Sequence, residues 1–463
     1  MPNEAENHAE ILIVGGGITG LAAAYISAQC GKTVRLIEAS DHCGGLLRTF
    51  PVGDTQLEHF YHHFFTHDAE IHWLLNELGL ENEVVYKEST MGVFAEGTIY
   101  PFNSIRDLFQ FKPIQFLDKL KFGLSSLFLA KWADWGKYER VSSSEWLKKW
   151  SGKTTFKNLW EPMLRIKFGP YKDEIPVSWM IGRMRQRLNS RKAGKEQLGY
   201  LNGSLQVLCD KLVERLKELG VEILTNSHLT EICIEKNRIE CVKSHDNAFT
   251  FDQVLFTVPG PVLSTVWPES NLKSALGTVQ YFGVYCGILE LKKPLGDVYW
   301  LNVAEEDYSF GGIIEHTNFI DPETYGGRHV VYLSRYFAYE EEIAAWRENK
   351  VRDIMLKDLS RIYPNFSTED VLEFHLFRAN NAAPLVDRGY SEKVVPHKLT
   401  VDKGFVANMT HLYPDERGVN NSIRLAAVAL AEMGLQVDFV PSQNSLVGTI
   451  KFGSKTEKSK ATL

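Results

Sequence analysis

Three glycines and a glutamate near the start of the chain stand at spacings that suit a defined chemistry. Gly15, Gly17 and Gly20 fit the pattern G-x-G-x-x-G, and Glu38 follows 18 residues after the last of them. In such a pattern the first glycine permits a tight turn and the second lets backbone approach a pyrophosphate with no Cβ in the way. The third lets a helix pack closely on a strand. A carboxylate at Glu38 can accept hydrogen bonds from both hydroxyls of an adenosine ribose, and its charge would repel a 2′-phosphate. The chemistry these residues point to is dinucleotide binding. Six residues past Glu38, Gly44 and Gly45 lead into Leu46, Leu47, Arg48 and Thr49. That second pair brings backbone past the cofactor again, with Arg48 as a cation for its phosphates.

The elements that must position these residues are legible around them. Ile11 to Val14 is an apolar run suited to a buried parallel strand, Leu21 to Gln29 an Ala-rich helix, and Lys32 to Ile37 a second strand ending at the acid. Phosphates would sit at the helix N-terminus. In this order the stretch resembles the flavoprotein superfamily of amine oxidases, protoporphyrinogen oxidases and phytoene desaturases, with UDP-galactopyranose mutase as a more distant relative. The resemblance implies FAD held by Gly15, Gly17, Ile18, Thr19, Gly20, Glu38, Ala39, Gly44, Gly45, Leu46, Leu47, Arg48 and Thr49. The commonest form of the motif has Arg directly after the glycine pair; Leu46 stands there, which leaves Arg48 as the phosphate cation.

Further along, Leu57 to Phe65 is dense in aromatics and carries His59, His62 and His63. They lack the H-x-x-x-H helical spacing of a metal site, so no metal is expected, and the plain reading is a packed aromatic segment. In the resembling superfamily the chain after the glycine pair runs close to the flavin ring, which makes His59 and His62 catalytic candidates. A basic run, Arg183, Arg185, Arg187, Arg191 and Lys192, reads first as a solvated helix face. Turned to a cleft it would offer bidentate donors to a carboxylate or phosphate, and Arg183 is the third catalytic candidate. The phrase Leu164, Lys167, Phe168, Gly169 resembles a segment of desaturase-like members. Phe116 to Trp132 has apolar residues at helical spacing with lysines among them; it reads first as a core helix of a substrate cap, with a lipid-dipping surface helix as the alternative.

The resemblance continues to the C-terminus. It implies that backbone near Leu229 meets the adenine, that a strand from Phe251 ends under the dinucleotide at Val258, and that Arg417, Gly418, Val419 and Asn420 open the helix lying under the isoalloxazine. Asn408 and Met409 replace the usual Gly-Asp, so Asn408 is expected as a weaker acceptor toward the pyrophosphate. Many amine oxidases carry a lysine on the substrate sheet that holds a water near the flavin. Here Lys292 and Lys293 stand only at a strand's end, so that family's proton and oxygen handling is not carried over. From Leu276 to Phe377 the sequence alternates and is rich in aromatics, predicting a mixed sheet with a helix over Glu340 to Ile362.

At 463 residues the chain exceeds a single compact core. The expected class is α/β: a discontinuous Rossmann-like FAD-binding domain (1–85, 200–275, 395–453) interleaved with an amine oxidase-like mixed-sheet and helical-cap substrate domain (86–199, 276–394), then a flexible tail at 454–463. A net charge of −7 argues against nucleic acid as a partner. Six scattered cysteines read mostly as small buried hydrophobes in a reducing compartment. Met1 to Glu10 has no signal-peptide pattern and no apolar run reaches the roughly 18 to 20 residues of a membrane span, so a cytoplasmic protein is expected, with peripheral membrane contact left open and oligomeric state undetermined.

The function expected is that of an FAD-dependent oxidase, dehydrogenase or desaturase that takes a hydride from a C–N or C–C unit of a small to medium organic substrate. The alternatives are a non-redox mutase or isomerase acting on a sugar nucleotide, and a non-catalytic flavoprotein. No second G-x-G-x-x-G is present for a nicotinamide, which argues against a built-in reductase site.

Overall fold

In the computed structural model, residues 8–192, 195–245 and 247–437 are described; the tail expected at 454–463, the end of the 395–453 segment and most of the acidic N-terminal stretch lie outside them. The centre of the first sheet is the strand His8–Val14. Ile11, Leu12, Ile13 and Val14 are at most 2% exposed, as expected of a parallel strand covered on both faces. It pairs in parallel with Val34–Ile37 on one side and Asn247–Phe256 on the other, and Glu222–Leu224 extends the sheet beyond Val34–Ile37. The far end of Asn247–Phe256 pairs in parallel with Gly404–Val406, while its beginning turns back into an antiparallel meander with Arg238–Ser244 and Glu231–Glu235.

Helix α1 (Ile18–Gln29) is buried nearly all round, because it lies between this sheet and the C-terminal helix. Helix α2 (Ala69–Glu77) is tied to that C-terminal helix by a buried polar network. Glu70 accepts from Arg424 Nε at 2.6 Å and from Asn420 Nδ2 at 2.8 Å, and Asn420 Oδ1 accepts the Ile71 amide at 3.0 Å.

The second sheet has seven strands in the order Val371–Pro384, Tyr281–Leu291, His329–Phe337, Gly312–Glu315, Trp300–Val303, Met91–Ala95 and Thr98–Pro101. It is mixed, since Trp300–Val303 and Met91–Ala95 run parallel while the other pairs are antiparallel. Helices α3 (Ile105–Gln110), α4 (Phe116–Lys131), α5 (Glu161–Phe168) and α6 (Val177–Asn189) form much of the cap, and α7 (Val419–Glu432) closes the first sheet. Ser104 and Asp107 start α3 with reciprocal side-chain to backbone bonds.

Two expectations need correction. The helix expected from Glu340 begins only at Glu348, because Glu341 binds the Ala338 amide and the Arg335 guanidinium and holds the preceding chain in turns. The reading of α4 as a core helix holds for one side only: Leu129 is buried in the cap core with Phe122 and Phe128 packed against it, whereas Leu117, Leu120, Leu124 and Leu127 are exposed and Asp118, Lys119 and Ser125 face inward.

Breaking the Glu70 network should leave a buried guanidinium without its nearest carboxylate. Glu70→Ala is expected to destabilise the protein by about 3–5 kcal/mol, read as a shift of the denaturant midpoint.

Candidate functional site

The glycine loop is a set of backbone approaches that a side chain would block. Gly15 has φ +111°, and a Cβ on Gly20 would lie 1.9 Å from the Gly15 carbonyl oxygen. Around a Cβ on Gly17 there would be nothing within 4 Å, so this glycine faces open space. The second pair crosses the first loop: Gly44 donates to the Gly16 carbonyl at 2.8 Å, and a Cβ on Gly45 would come 3.2 Å from Gly17 Cα. The close passage attributed to cofactor thus also holds the two loops together. Leu47 is buried in the core, whereas Leu46 is half-buried in the same turn.

Glu38 follows the second strand. Its Oε2 accepts the Gly16 amide at 2.6 Å and its Oε1 the Ser40 amide at 2.8 Å, which fixes the carboxylate and leaves each oxygen a further lone pair. Exposed Ala39 follows it, and the loop leading to Leu229 runs alongside, with the Ser227 amide on the Glu38 carbonyl at 2.8 Å. Arg48 reaches Ser40 Oγ at 3.3 Å and Asp41 at 3.6 Å, and half-buried Thr49 bonds Gln56. Val258 touches the Gly15 turn.

Helices α1 and α7, which pack on each other, both start without a side-chain cap, α1 at Gly17, Ile18 and Thr19 and α7 at Gly418 and Val419. Their amides and helix dipoles suit an anion. A Cβ on Gly418 would also meet nothing within 4 Å. These cradles, with the fixed Glu38 carboxylate, fit FAD, which Gly15 to Gly20, Glu38 and the starts of α1 and α7 would hold. Two side-chain expectations are corrected. Asn408 is buried, its Oδ1 taken by the Thr410 amide and hydroxyl and its Nδ2 donating to Val258 O at 2.9 Å, so it closes a turn rather than waiting for a pyrophosphate. The Asn420 amide is engaged by Glu70 and Ile71, which leaves its backbone alone for a ligand.

A second constellation lies where the cap meets the loop before α7. Arg183 pairs with Glu416, and Arg187 binds both oxygens of Glu196 at 2.8 and 2.9 Å. Lys167 on α5 and Arg183 on α6 both lie over the Trp179 ring, 4.7 and 4.8 Å from its centroid. Arg417 donates to the Ala382 carbonyl and lies 5.7 Å over the Tyr336 ring. Tyr61, His62, His63 and Lys167 keep part of their surface uncovered although they lie deep in the molecule, as side chains lining an internal cavity do. Close approaches elsewhere seat these groups: a Cβ on Gly182 would lie 2.1 Å from the Pro414 carbonyl oxygen, and one on Gly311 would strike Ile166, the neighbour of Lys167.

The charges are coupled. Burial alone would raise the Glu416 carboxyl, but Arg183, Lys167, Arg187 and Arg417 together pull it down to about 2. Burial, then Arg183, Arg417 and Arg187, push the Lys167 ammonium well below the ordinary lysine value against the pull of Glu416. Burial lowers His62 and His63 to about 4, so both rings are neutral at pH 7. His62 Nδ1 lies 2.6 Å from the Phe60 carbonyl, which assigns the proton to that nitrogen and leaves Nε2 an acceptor.

Of the three catalytic candidates, Arg183 pairs with Glu416, and His62 feels the charge of Arg417, which also acts on Glu416. His59 is stacked on Phe377 at 3.9 Å and 9° instead, with burial lowering it to about 4. The solvated-face reading of the basic run is corrected for Arg183 and Arg187, which turn inward one helical turn apart. Sequence reasoning assigned no role to Lys167, Glu416 or Glu196; the signals for Lys167 were its place in the desaturase-like phrase and its apolar setting between Ile166 and Phe168. An open cleft on the opposite face of the second sheet, between Tyr308, Trp346 and Arg361, carries paired charges, Arg335 with Glu341 and Arg361 with Asp358, and none of the expected residues. Among the described residues, no group of three or more His, Cys, Asp or Glu side chains could hold a metal ion.

The family model for flavin-containing amine oxidoreductases matches residues 18–384, most of the chain. A 15-cis-phytoene desaturase from an Oncidium hybrid cultivar is 22% identical over 414 residues, covering 80% of this chain and 68% of the relative. Among solved structures, cyclohexylamine oxidase from Brevibacterium oxydans superposes with TM-score 0.71 at 14% identity, covering 92% of this chain and 99% of that one. Reduced UDP-galactopyranose mutase does so with TM-score 0.72 at 15% identity, covering 94% and 96%. Those structural likenesses are of fold.

Two outcomes follow from the geometry. Gly20→Ala is expected to yield protein with little bound flavin, measured as the ratio of flavin to protein absorbance, because the added carbon cannot coexist with the Gly15 carbonyl. Glu416 is held below the ordinary glutamate value, so its stabilisation is complete above about 4.5 and is lost as pH falls toward about 2. Melting temperature should fall across that window more steeply for the wild type than for Glu416→Gln.

Proposed function

Because the chain belongs to the flavin-containing amine oxidoreductase family and is an FAD-dependent oxidoreductase, we propose that it oxidises an organic acid, removing a hydride from a C–N or C–C unit while a carboxylate or phosphate of the same molecule is held by Lys167, Arg183 and Arg417. One observation carries this reading. Lys167, Arg183, Arg187 and Arg417 surround the cavity with two carboxylates, Glu416 and Glu196, between them. Cations desolvated in excess of their counter-ions are costly, and an anionic ligand relieves that cost.

Bound FAD supplies the two-electron acceptor. The residues of the chain bind and orient the substrate around it. Lys167, whose ammonium burial and then Arg183 push below the ordinary lysine value, is favoured in its charged form by an entering anion, which it meets with a charge-assisted hydrogen bond. Trp179, Tyr336 and Tyr61 wall the cavity with aromatic surface and limit water. The proton released when a C=N or C=C bond forms can be accepted at His62 Nε2, since that ring is neutral at pH 7.

The same cations would suit the diphosphate of a sugar nucleotide, and one experiment separates the readings. Under anaerobic conditions, acidic amines and unsaturated acids are mixed with the holoprotein alone, and sugar nucleotides with holoprotein before and after dithionite. Bleaching of the flavin by an acid alone supports oxidation; turnover seen only after chemical reduction favours a mutase. In the oxidative case Lys167→Met should raise KM for the acid by roughly 30-fold, equivalent to about 2 kcal/mol, with a smaller effect on its neutral ester.

A further inference from the structure

We propose that the outer face of α3 and α4 docks on the surface of an anionic lipid bilayer. Helix α4 carries apolar residues on both sides: Leu129 is buried in the cap core with Phe122 and Phe128 packed against it, yet polar groups share that inward side and a leucine stripe faces outward. Its inward side carries Asp118, which accepts from Thr154 at 2.8 and 2.9 Å, Lys119, which donates to the Phe109 carbonyl at 2.6 Å, and Ser125. Its outward side carries Leu117, Leu120, Leu124 and Leu127, a stripe at helical spacing, with Leu117 and Leu124 69% and 70% exposed. The usual driving force buries leucine and exposes charge, so an unpartnered outward stripe of this kind marks a contact with an apolar medium.

The stripe is part of a continuous patch. Phe116 lies at the start of α4 against Phe109 of α3, ring centroids 5.7 Å apart, and α3 adds exposed Ile105. Trp132 caps the other end of α4, and Trp150 stands exposed nearby in sequence. Of the fourteen large apolar side chains left exposed among the described residues, nine fall between Ile105 and Trp150.

Charge selects the occupant. Residues 105–157 hold eleven Lys and Arg against five Asp and Glu, in a chain whose net charge is −7. Lys121 and Lys131 on α4, and Arg106 and Lys112 beside it, are exposed around the leucines. A second copy meeting this patch across a two-fold axis would bring like charges face to face, which opposes such a dimer. Anionic headgroups would neutralise the same ring of cations while the leucines and tryptophans enter the headgroup and acyl boundary. At 16 residues α4 is about 24 Å long and would lie flat; among the described residues no helix is long and apolar enough to cross a membrane. Helix α4 packs on α6, the helix that brings Arg183 and Arg187 to the cavity, so the docking face and the cavity are one helix apart.

The test is sedimentation of the full-length holoprotein with vesicles of phosphatidylglycerol and phosphatidylcholine, and with phosphatidylcholine alone. The expected result is binding that favours the anionic vesicles and weakens with salt. A Leu117→Glu, Leu124→Glu double variant should bind roughly 10-fold or more weakly with its flavin content unchanged, and Lys121→Gln with Lys131→Gln should lose the preference for anionic lipid. The proposal is overturned if no vesicle binds the wild type, or if the double glutamate variant binds as well as the wild type. It is equally overturned if the wild type is a dimer that the glutamates convert to a monomer without any vesicle binding.

Discussion

The arrangement depends on the desolvation of positive charge at one point. Lys167, Arg183, Arg187 and Arg417 come from the cap and from the loop before α7, and Glu416 is the carboxylate that they share. A buried cation without a counter-charge is among the most costly features a fold can contain. The Arg183 to Glu416 pair therefore does more than fill space. It ties α6 to the residue two before Gly418, where the uncapped start of α7 faces the cofactor region. Gly182 allows this approach by leaving room for the Pro414 carbonyl. Cap and nucleotide-binding sheet are thereby joined by electrostatics and by close backbone contact at the same place.

The chemistry of the cavity follows from that arrangement. Burial keeps His62 and His63 neutral at pH 7, so the positive charge in this region resides on lysine and arginine. On the proposed reading, positive charge from side chains would hold a substrate anion and the positive dipoles at the starts of α1 and α7 a cofactor phosphate.

The outer cap presents the opposite case. On the inward side of α4, Asp118 has its partner in Thr154 and Lys119 in the Phe109 carbonyl, whereas the leucines on the outward side are exposed. Hydrophobic burial is satisfied in the cores of the two sheets, and most of the large apolar side chains left exposed among the described residues gather at this face. The same helical layer therefore joins a highly polar interior site to a highly apolar exterior.

The sequence by itself determined the glycine loop, the acid after the second strand, the order of the elements and the two-sheet α/β class. These rest on local causes: a missing Cβ at Gly15, Gly17 and Gly20, an apolar run at Ile11 to Val14, and turn residues such as Glu96 and Gly97, both with positive φ. Helical periodicity likewise revealed which residues of α4 and α6 share a face. It could not reveal which face turns inward, because that depends on elements distant in the chain that cover one side and leave the other bare. Tertiary structure alone therefore exposed the leucines of α4, turned Arg183 and Arg187 inward, brought Lys167 to Glu416 across about 250 residues of chain, and closed the Asn408 and Asn420 side chains into internal hydrogen bonds.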